Sequence, residues 1–168
     1  MTKGSGPDAP FEAFVEVAWR RHLRLAMLLT GDPSRAEELL QDSLVKLYER
    51  WGKIRSEDGA HAYLRRILTN SQISWWRRRF RERLVAEVPD RSYEPIGAHP
   101  DADVLRQALL ALPPRQRAVV VLRHYEDLSE REIAHILGCT EGTVKSQNAR
   151  ALQRLRRTLQ QPALNPQR

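Results

Sequence analysis

Two short helical patterns separated by a very short turn constrain the fold of this chain more than any other feature, and they occupy residues 129–157. Ser129 is followed three residues later by Glu132, and this spacing predicts a capping box, because hydroxyl and carboxylate each satisfy a backbone amide at a helix start. Gly138 supplies the backbone freedom that a helix end needs, and Thr140 can cap the next helix. The segment is therefore predicted to fold as a tight pair of helices.

The same segment separates an apolar face from a polar and cationic one. Residues predicted to point inward recur at helical spacing, namely Ile133, Ala134, Leu137, Val144, Ala151, Leu152 and Leu155. The outward face of the second helix carries hydrogen-bond donors, namely Lys145, Ser146, Gln147, Asn148, Arg150 and Arg154. Such donors bind base edges and phosphates, so the pattern is typical of a helix-turn-helix whose second helix enters the DNA major groove. The alternative is a helical hairpin whose basic face is merely solvated.

The composition agrees with a nucleic-acid partner and argues against other classes. The chain has 168 residues, enough for one domain or two small ones, and a formal net charge of +7, which favours a polyanionic partner. No stretch is long and apolar enough to span a bilayer, and the N-terminus lacks the apolar core of a signal peptide. The sequence therefore predicts a cytoplasmic protein.

The sequence offers neither a set of metal ligands nor a catalytic constellation. Cys139 is the only cysteine, which excludes an intramolecular disulfide and a multi-cysteine zinc site. The five histidines are scattered without metal spacing, and we interpret them as surface or packing residues. No catalytic triad, glycine-rich phosphate loop or paired-carboxylate site is recognisable. We therefore expect no cofactor, no metal and no enzymatic activity.

Apolar periodicity predicts an all-α fold with two small helical domains joined by a flexible linker, the C-terminal one containing the helix-turn-helix. Residues 84–100 are rich in proline and acidic residues and lack an apolar period, which predicts the linker. The predicted organisation is a disordered N-terminus (1–10), an N-terminal domain (11–83), the linker (84–100), a C-terminal domain (101–160) and a tail (161–168).

Apolar stripes predict which faces of the other helices are buried. Gly31 ends the first helix, and Asp32 followed by Pro33 predicts an immediate restart. The predicted inward residues of the first two helices are Phe11, Phe14, Val15, Ala18, Leu25, Leu29, Ala36, Leu39, Leu40, Leu44, Leu47, Tyr48 and Trp51. The helix predicted near residue 101 carries Val104, Leu105, Ala108, Leu109 and Leu112.

A second constellation places tryptophans beside a dense arginine run. The third helical pattern carries Trp75 and Trp76, followed by Arg77, Arg78, Arg79, Arg81 and Arg83. Indole rings stack on unpaired bases while arginines hold the backbone, so the pattern indicates single-stranded nucleic acid binding. The alternative is that the tryptophans belong to the core and the arginines form a solvated helix end.

The second helix has a different outer face, with mixed charge rather than a basic one. It carries Glu37, Glu38, Gln41, Asp42, Lys46, Glu49 and Arg50, with Val45 exposed among them. A mixed-charge surface favours protein contact over DNA contact. A solvated helix face is the alternative, and the residues alone leave both open.

Taken together, these parts resemble the small alternative sigma factors of bacterial RNA polymerase, the extracytoplasmic-function (ECF) type. The resemblance covers about residues 11–160, and the SWWRRR string points to the actinobacterial branch. The matching strings are AEELLQDSLVKLYERW, AYLRRILTNSQISWWRRR, LPPRQRAVVVLRHYEDLSEREIAHILG and GTVKSQNARALQRLR. The resemblance implies a non-enzymatic subunit that binds core RNA polymerase and directs promoter recognition, DNA melting and transcription initiation.

The resemblance also implies roles for matching positions. Those implied to dock on core RNA polymerase are Glu38, Gln41, Asp42, Leu44 and Leu47. Those implied to bind the melted promoter element are Asn70, Ser74, Trp75, Trp76, Arg77, Arg78 and Arg79. Those implied to read the distal promoter element are Arg131, Thr143, Lys145, Ser146, Gln147, Arg150 and Arg154. Many relatives have an acid near Ser74 and an arginine at Gln147, and these departures bear on the promoter sequence.

Partners and alternatives follow from the same resemblance. It implies core RNA polymerase and promoter DNA as partners, and family habit adds an anti-sigma factor, although no residue here demonstrates one. A self-sufficient DNA-binding regulator is the leading alternative and predicts tight operator binding without polymerase. A nucleic-acid-processing enzyme anchored by a helix-turn-helix is a third, which the missing active site argues against.

Overall fold

The computed structural model describes residues 8–83 and 100–161, and within these ranges it contains helices and short connections but no strand. The all-α prediction is confirmed. Contacts divide the chain into two compact units, Met1–Gln72 and Ile73–Arg168, so the division falls inside a long helix rather than at the predicted linker. Residues 84–99 of that linker, residues 1–7 and the tail from residue 162 lie outside the described residues.

The helices begin and end close to the predicted positions. In chain order they are α1 (Ala9–Thr30), α2 (Pro33–Arg50), α3 (Glu57–Arg83), α4 (Pro100–Leu110), α5 (Pro114–Val120), α6 (Glu130–Leu137) and α7 (Glu141–Gln160). A 3-10 turn (Trp51–Lys53) follows α2, and a π-helical turn (Val121–Tyr125) follows α5. Pro10 and Pro100, the last residues of the predicted N-terminal segment and of the predicted linker, lie in the first turns of α1 and α4. Proline is accepted in a first helical turn, where its missing N–H has no intrahelical partner.

In the first unit, α1 and α2 form a hairpin whose turn matches the prediction. Gly31 adopts a left-handed backbone with φ of 68° and its N–H donates to the Met27 carbonyl oxygen. Asp32 then caps α2, accepting a hydrogen bond of 3.2 Å from the Arg35 backbone N–H. The hairpin buries Ala18, Leu25, Leu39, Leu40 and Leu47 almost completely. These contacts fix which face of α2 remains at the surface.

Tyr48 was wrongly predicted to point inward. Its side chain is 49% exposed, and its hydroxyl donates a hydrogen bond to the Asp8 carboxylate. Tyr48 lies one residue beyond Leu47, so it falls at the edge of the buried stripe, where its phenol can reach solvent. Trp51 is half-buried, with its ring centroid 5.2 Å from that of Phe14.

In the second unit, the helix pair is built on a compact aliphatic cluster. Val119, Leu122, Leu128, Ile133 and Val144 are its main buried members. The last turn of α4 contributes the buried residues Ala108 and Leu109 to the unit's interior, and the connection that follows contributes Leu112. The first turns of α4 do not, and the inward prediction for two of its residues was wrong, since these are about half exposed, namely Val104 and Leu105.

Candidate nucleic-acid interface

The turn between α6 and α7 has the geometry that its sequence predicts. Ser129 Oγ accepts from the Glu132 backbone N–H at 3.1 Å, and Glu132 Oε2 accepts from the Ser129 N–H at 2.8 Å. Gly138 ends α6 with φ of 64°. Thr140 Oγ1 accepts from the Thr143 N–H at 3.1 Å and starts α7. The backbone groups at both ends of the turn are thus satisfied locally, which sets the angle at which α7 leaves it.

Aliphatic side chains beneath α7 determine which of its residues face outward. Val144 and Ala151 have no exposed surface, and Leu155 is 9% exposed. Because these three lie on one side of the helix, the opposite side is held at the surface. Six of the seven residues predicted to read the distal promoter element are exposed, namely Arg131, Thr143, Lys145, Ser146, Arg150 and Arg154.

Gln147 is the exception among the predicted base-reading residues. Its side chain is half-buried, and its Oε1 is enclosed without a hydrogen-bond partner among the described residues. Three residues beyond Val144 on the helix, it lies beside the buried stripe rather than opposite it. The carbonyl end of this side chain is therefore not presented at the outer face of α7.

A buried arginine, which the sequence analysis did not identify, stabilises the second unit. Arg117 is 2% exposed, and its guanidinium donates to the carbonyl oxygens of Leu109 at 2.8 Å and Leu112 at 3.1 Å. These carbonyls lie in the last turn of α4 and just beyond it, where intrahelical donors run out. Burial lowers the pKa of Arg117 to about 10, so the group remains cationic at neutral pH. The sequence gives no signal for this role, because the acceptors are backbone atoms.

The end of α3 presents the tryptophan–arginine constellation at the surface. Ser74, Arg77 and Arg78 are exposed, whereas Asn70, Trp75, Trp76 and Arg79 are half-buried. The Trp75 and Trp76 rings meet edge to face with centroids 5.5 Å apart, and the Arg79 guanidinium lies 5.1 Å from the Trp75 ring centroid. Both tryptophans are half-buried, so each packs partly against the protein and keeps part of its side chain accessible. A cation against an indole face holds the ring in a defined orientation.

The residues predicted to dock on polymerase fall into two groups. The side chains of Glu38, Gln41 and Asp42 are exposed, whereas Leu44 is 8% exposed and Leu47 is completely buried. Leu47 therefore has no surface with which to contact a partner and instead holds α2 against the core.

Apolar surface lies next to the exposed docking residues. Val45 and Tyr48 are 62% and 49% exposed, and they border a shallow groove of about 530 Å³ between α1 and α2. Phe11 and Val15 line its other side. The hydrogen bond from Tyr48 to the Asp8 carboxylate raises the pKa of the phenol. Large exposed apolar side chains beside acidic residues are typical of a protein-binding surface.

Two of the histidines form a pair in the interior of the first unit. His22 Nε2 and His61 Nδ1 are 2.9 Å apart, and both side chains are buried. Burial, followed by the charges of His61, Arg21 and Arg65, lowers the pKa of His22 to about 3. Burial also lowers the pKa of His61. The prediction that histidines serve packing holds for this pair.

The described part of the chain offers neither a metal site nor a membrane-spanning helix. It contains no group of three or more His, Cys, Asp or Glu side chains that could hold a metal ion. No helix in these ranges combines the length and apolar character needed to cross a membrane.

Comparison with protein families matches both halves of the chain. The sigma-70 region 2 family model matches residues 16–82, and the sigma-70 region 4 model matches residues 102–155. The first match contains α2 and almost all of α3, and the second contains the helix-turn-helix. The chain is thus similar to sigma-70 proteins in the segments that carry its two candidate surfaces.

Individual relatives agree with the family models. The RNA polymerase sigma-E factor of Streptomyces avermitilis is 43% identical over 157 residues, covering 92% of this chain and 88% of that protein. The ECF RNA polymerase sigma factor SigL of Mycobacterium tuberculosis is 32% identical over 173 residues, covering 96% and 97%. Among solved structures, the sigma factor RpoE of Bartonella quintana, crystallised with the anti-sigma factor NepR, superposes with a TM-score of 0.72 at 28% identity, covering 89% of this chain and 96% of that one.

Proposed function

The chain belongs to the sigma-70 family, as an alternative sigma factor of the ECF type that directs transcription initiation, and from this premise we propose how its surfaces divide the work. The outer face of α7 reads the distal promoter element, the end of α3 holds the melted element, and the exposed side of α2 docks on core RNA polymerase. The observation that carries this proposal is the contrast between a cationic, donor-rich face on α7 and an apolar, acidic face on α2.

Reading by α7 combines affinity and discrimination. Lys145, Arg150 and Arg154 are exposed on α7 and lie outside its buried stripe, so each is accessible to DNA that docks on this helix. Contacts from these cations to phosphates supply salt-sensitive affinity, because they release counterions from DNA. A bidentate contact from an arginine to guanine adds about 1–3 kcal/mol of discrimination. Arg131 and Thr143, at the starts of their helices, position the pair on the backbone.

Trapping of unpaired bases is assigned to the end of α3. Half-buried Trp75 and Trp76 each leave part of a ring uncovered, and Arg77 and Arg78 are exposed beside them. Stacking of a base on an aromatic ring contributes about 1–3 kcal/mol, and arginines hold the adjoining phosphates. Ser74 directly precedes Trp75, and Asn70 lies five residues before Trp75 on the same helix; we assign both to hydrogen bonds with the captured strand. This surface stabilises the open complex.

Docking on polymerase is assigned to the exposed side of α2. Val45 and Tyr48 supply apolar contact, and Gln41, Glu38 and Asp42 supply a polar rim around it. Leu44 lines the groove although it is only 8% exposed, and Leu47, which has no exposed surface, supports α2 from beneath. An apolar centre with a polar rim is the usual composition of a protein interface.

Partners and setting complete the proposal. Core RNA polymerase and promoter DNA are the two partners, and an anti-sigma factor is a third, by analogy with RpoE bound to NepR. The protein acts in the cytoplasm, performs no catalysis itself and depends on polymerase for its effect. The SWWRRR string and the similarity to proteins of Streptomyces and Mycobacterium support the actinobacterial branch.

Transcription by a reconstituted holoenzyme tests this function. The purified chain is mixed with bacterial core RNA polymerase, binding is measured, and run-off transcription is assayed from the promoter upstream of its own gene. We expect stable association and a discrete transcript that core enzyme alone does not make. Failure to bind polymerase, together with tight binding to duplex DNA alone, would instead identify a self-sufficient regulator.

A further inference from the structure

The first turns of α1 form one wall of the groove that the proposed docking face of α2 borders. Phe11 and Val15 lie on the α1 side, and Leu44, Val45 and Tyr48 lie on the α2 side. The sigma-70 region 2 model matches residues 16–82, so the α1 wall precedes the matched segment. The groove is therefore continuous with the surface proposed for polymerase docking, but one of its walls lies outside the family match.

Tyr48 is held beside this groove from two directions. Its hydroxyl donates a hydrogen bond to the Asp8 carboxylate, and its ring meets that of Phe11 edge to face, with the ring centroids 4.9 Å apart. Phe11 is itself packed against Trp51, with ring centroids 5.2 Å apart. Because both the ring and the hydroxyl of Tyr48 have partners on α1, its side chain has a defined orientation although it is 49% exposed.

The Asp8 carboxylate joins α1 to α2 instead of capping α1. Asp8 is the N-cap residue of α1, and an aspartate at this position ordinarily has an extended backbone and accepts from a backbone N–H of the first turn. Here φ is −85° and ψ is −27°, and the side chain makes no capping hydrogen bond. The first turn closes through the backbone, where the Glu12 N–H donates to the Asp8 carbonyl oxygen at 2.9 Å. The carboxylate is thus available to Tyr48.

We propose that Asp8 is a positioning residue for polymerase docking, which holds Tyr48 as a preorganised aromatic anchor, and that the first turns of α1 form part of the docking surface. Tyrosine is enriched among the residues that dominate binding at protein interfaces. A side chain that is ordered before binding loses less conformational entropy when it docks. This inference rests on the proposed docking of α2 on core RNA polymerase.

The charge around the groove indicates the chemistry of the polymerase surface that fits it. Among the described residues, those that line the groove include the acid Glu12 beside Asp8 and no basic residue. Glu38 and Asp42 are exposed on α2. Complementary charges guide protein association, and apolar side chains fill the centre of an interface. The polymerase segment that binds here is therefore expected to carry apolar side chains flanked by lysine or arginine.

A titration of the full-length chain with core RNA polymerase tests the role of Asp8. Asp8→Ala and Tyr48→Phe each remove the hydrogen bond, so we expect each to weaken the affinity for polymerase about fivefold. Because both variants break the same bond, the double variant should lose no more than either single variant. Asp8→Asn keeps a carbonyl oxygen that accepts from Tyr48 and removes only the exposed charge, so its affinity should stay within about twofold of wild type.

Glu16→Ala is the matched charge control, because Glu16 is an exposed acid of α1 that does not line the groove. Additive losses in the double variant would overturn the inference, as would a loss in Asp8→Asn equal to that in Asp8→Ala, since Asp8 would then act independently of Tyr48. A wild-type chain that does not bind core polymerase would instead refute the proposed docking function itself.

A photoreactive amino acid at position 12 tests whether α1 belongs to the docking surface. We expect this position to crosslink to a polymerase subunit in the holoenzyme. Crosslinks to a second copy of the chain, or no crosslink to polymerase from a chain that binds it, would overturn the assignment of the α1 wall.

Discussion

Helices α2 and α7 differ in what they expose, although both bury an aliphatic stripe. In α7 the exposed side carries Lys145, Arg150 and Arg154. In α2 the exposed side carries acidic residues together with Val45 and Tyr48, which are 62% and 49% exposed. Cationic side chains bind phosphate groups but bury little apolar surface. Exposed apolar side chains can be buried against a protein but do not bind phosphate. The difference supports the proposal that α7 binds a nucleic acid and α2 binds a protein.

The largest effect is expected on the α7 side of this comparison. Lys145→Ala combined with Arg150→Ala removes two proposed DNA contacts, so promoter-dependent transcription should fall about 100-fold. Affinity for core polymerase should not change. Run-off transcription and a polymerase-binding titration measure the two quantities, with Arg24→Ala, an exposed arginine on α1, as the charge control. Loss of polymerase binding in the double variant would erase the proposed distinction between the two helices.

The free energy of unfolding of the first unit, which contains α2, should decrease at acid pH. His22 has a folded pKa of about 3 and an ordinary value of 6.5, so below pH 6.5 the unfolded chain binds more protons than the folded one. The contribution of neutral, buried His22 to the free energy of unfolding is fully present above pH 6.5 and is lost as pH falls toward 3. By pH 5 the expected loss in the free energy of unfolding is about 2 kcal/mol.

Urea unfolding followed by tryptophan fluorescence measures this loss in a Trp75→Phe, Trp76→Phe background, where the remaining tryptophans, Trp19 and Trp51, both lie in the first unit. His22→Gln should reduce the dependence on pH, whereas His135→Gln, which changes an exposed histidine of the second unit, should not. An equal pH slope in wild type and His22→Gln would show that the buried pair is not its source.

A charge placed in the apolar face of α2 should have a smaller, selective effect. Val45→Asp puts a carboxylate where desolvation on docking is unfavourable, so the affinity for core polymerase should fall about tenfold. Specific binding of the isolated chain to DNA, where measurable, should be unaffected. Val104→Asp is the matched control, because Val104 is similarly exposed but lies on α4. Equal losses in both variants would argue against a dedicated docking face.

The smallest effect is expected from the cap of α6, the helix that packs against α7. Ser129→Ala removes one side of the capping box, which should lower the free energy of unfolding of the second unit by about 1 kcal/mol. Ser129→Asp keeps an acceptor and should retain most of it. Thermal unfolding by circular dichroism compares the two variants. No difference between them would mean that the cap does not stabilise α6.

Sequence predicted best what is determined locally. The capping box at Ser129, the left-handed Gly138 and the Asp32 cap depend on residues within one turn of one another, and all were predicted. The wrong predictions concern the limits of a buried face, since Val104, Leu105 and Tyr48 continue an apolar period beyond the point where another helix covers it.

Other features depend on distant partners and leave no local pattern. His22 and His61 are 39 residues apart in the chain, and Arg117 binds backbone carbonyls that any residue could supply. The half-buried position of Gln147 and the hydrogen bond between Tyr48 and Asp8, which are 40 residues apart in the chain, arise from tertiary packing. The candidate surfaces were therefore identifiable from sequence, but the residues that orient them were not.

Site-specific photocrosslinking tests the central claim most directly. A photoreactive amino acid is introduced at position 45 on α2 or at position 146 on α7, and the holoenzyme is irradiated on a promoter labelled in its DNA. We predict that position 45 crosslinks to a polymerase subunit and position 146 to the distal promoter element. Crosslinks from position 45 to DNA, or from position 146 to polymerase alone, would contradict the assignment of the two helices to different partners.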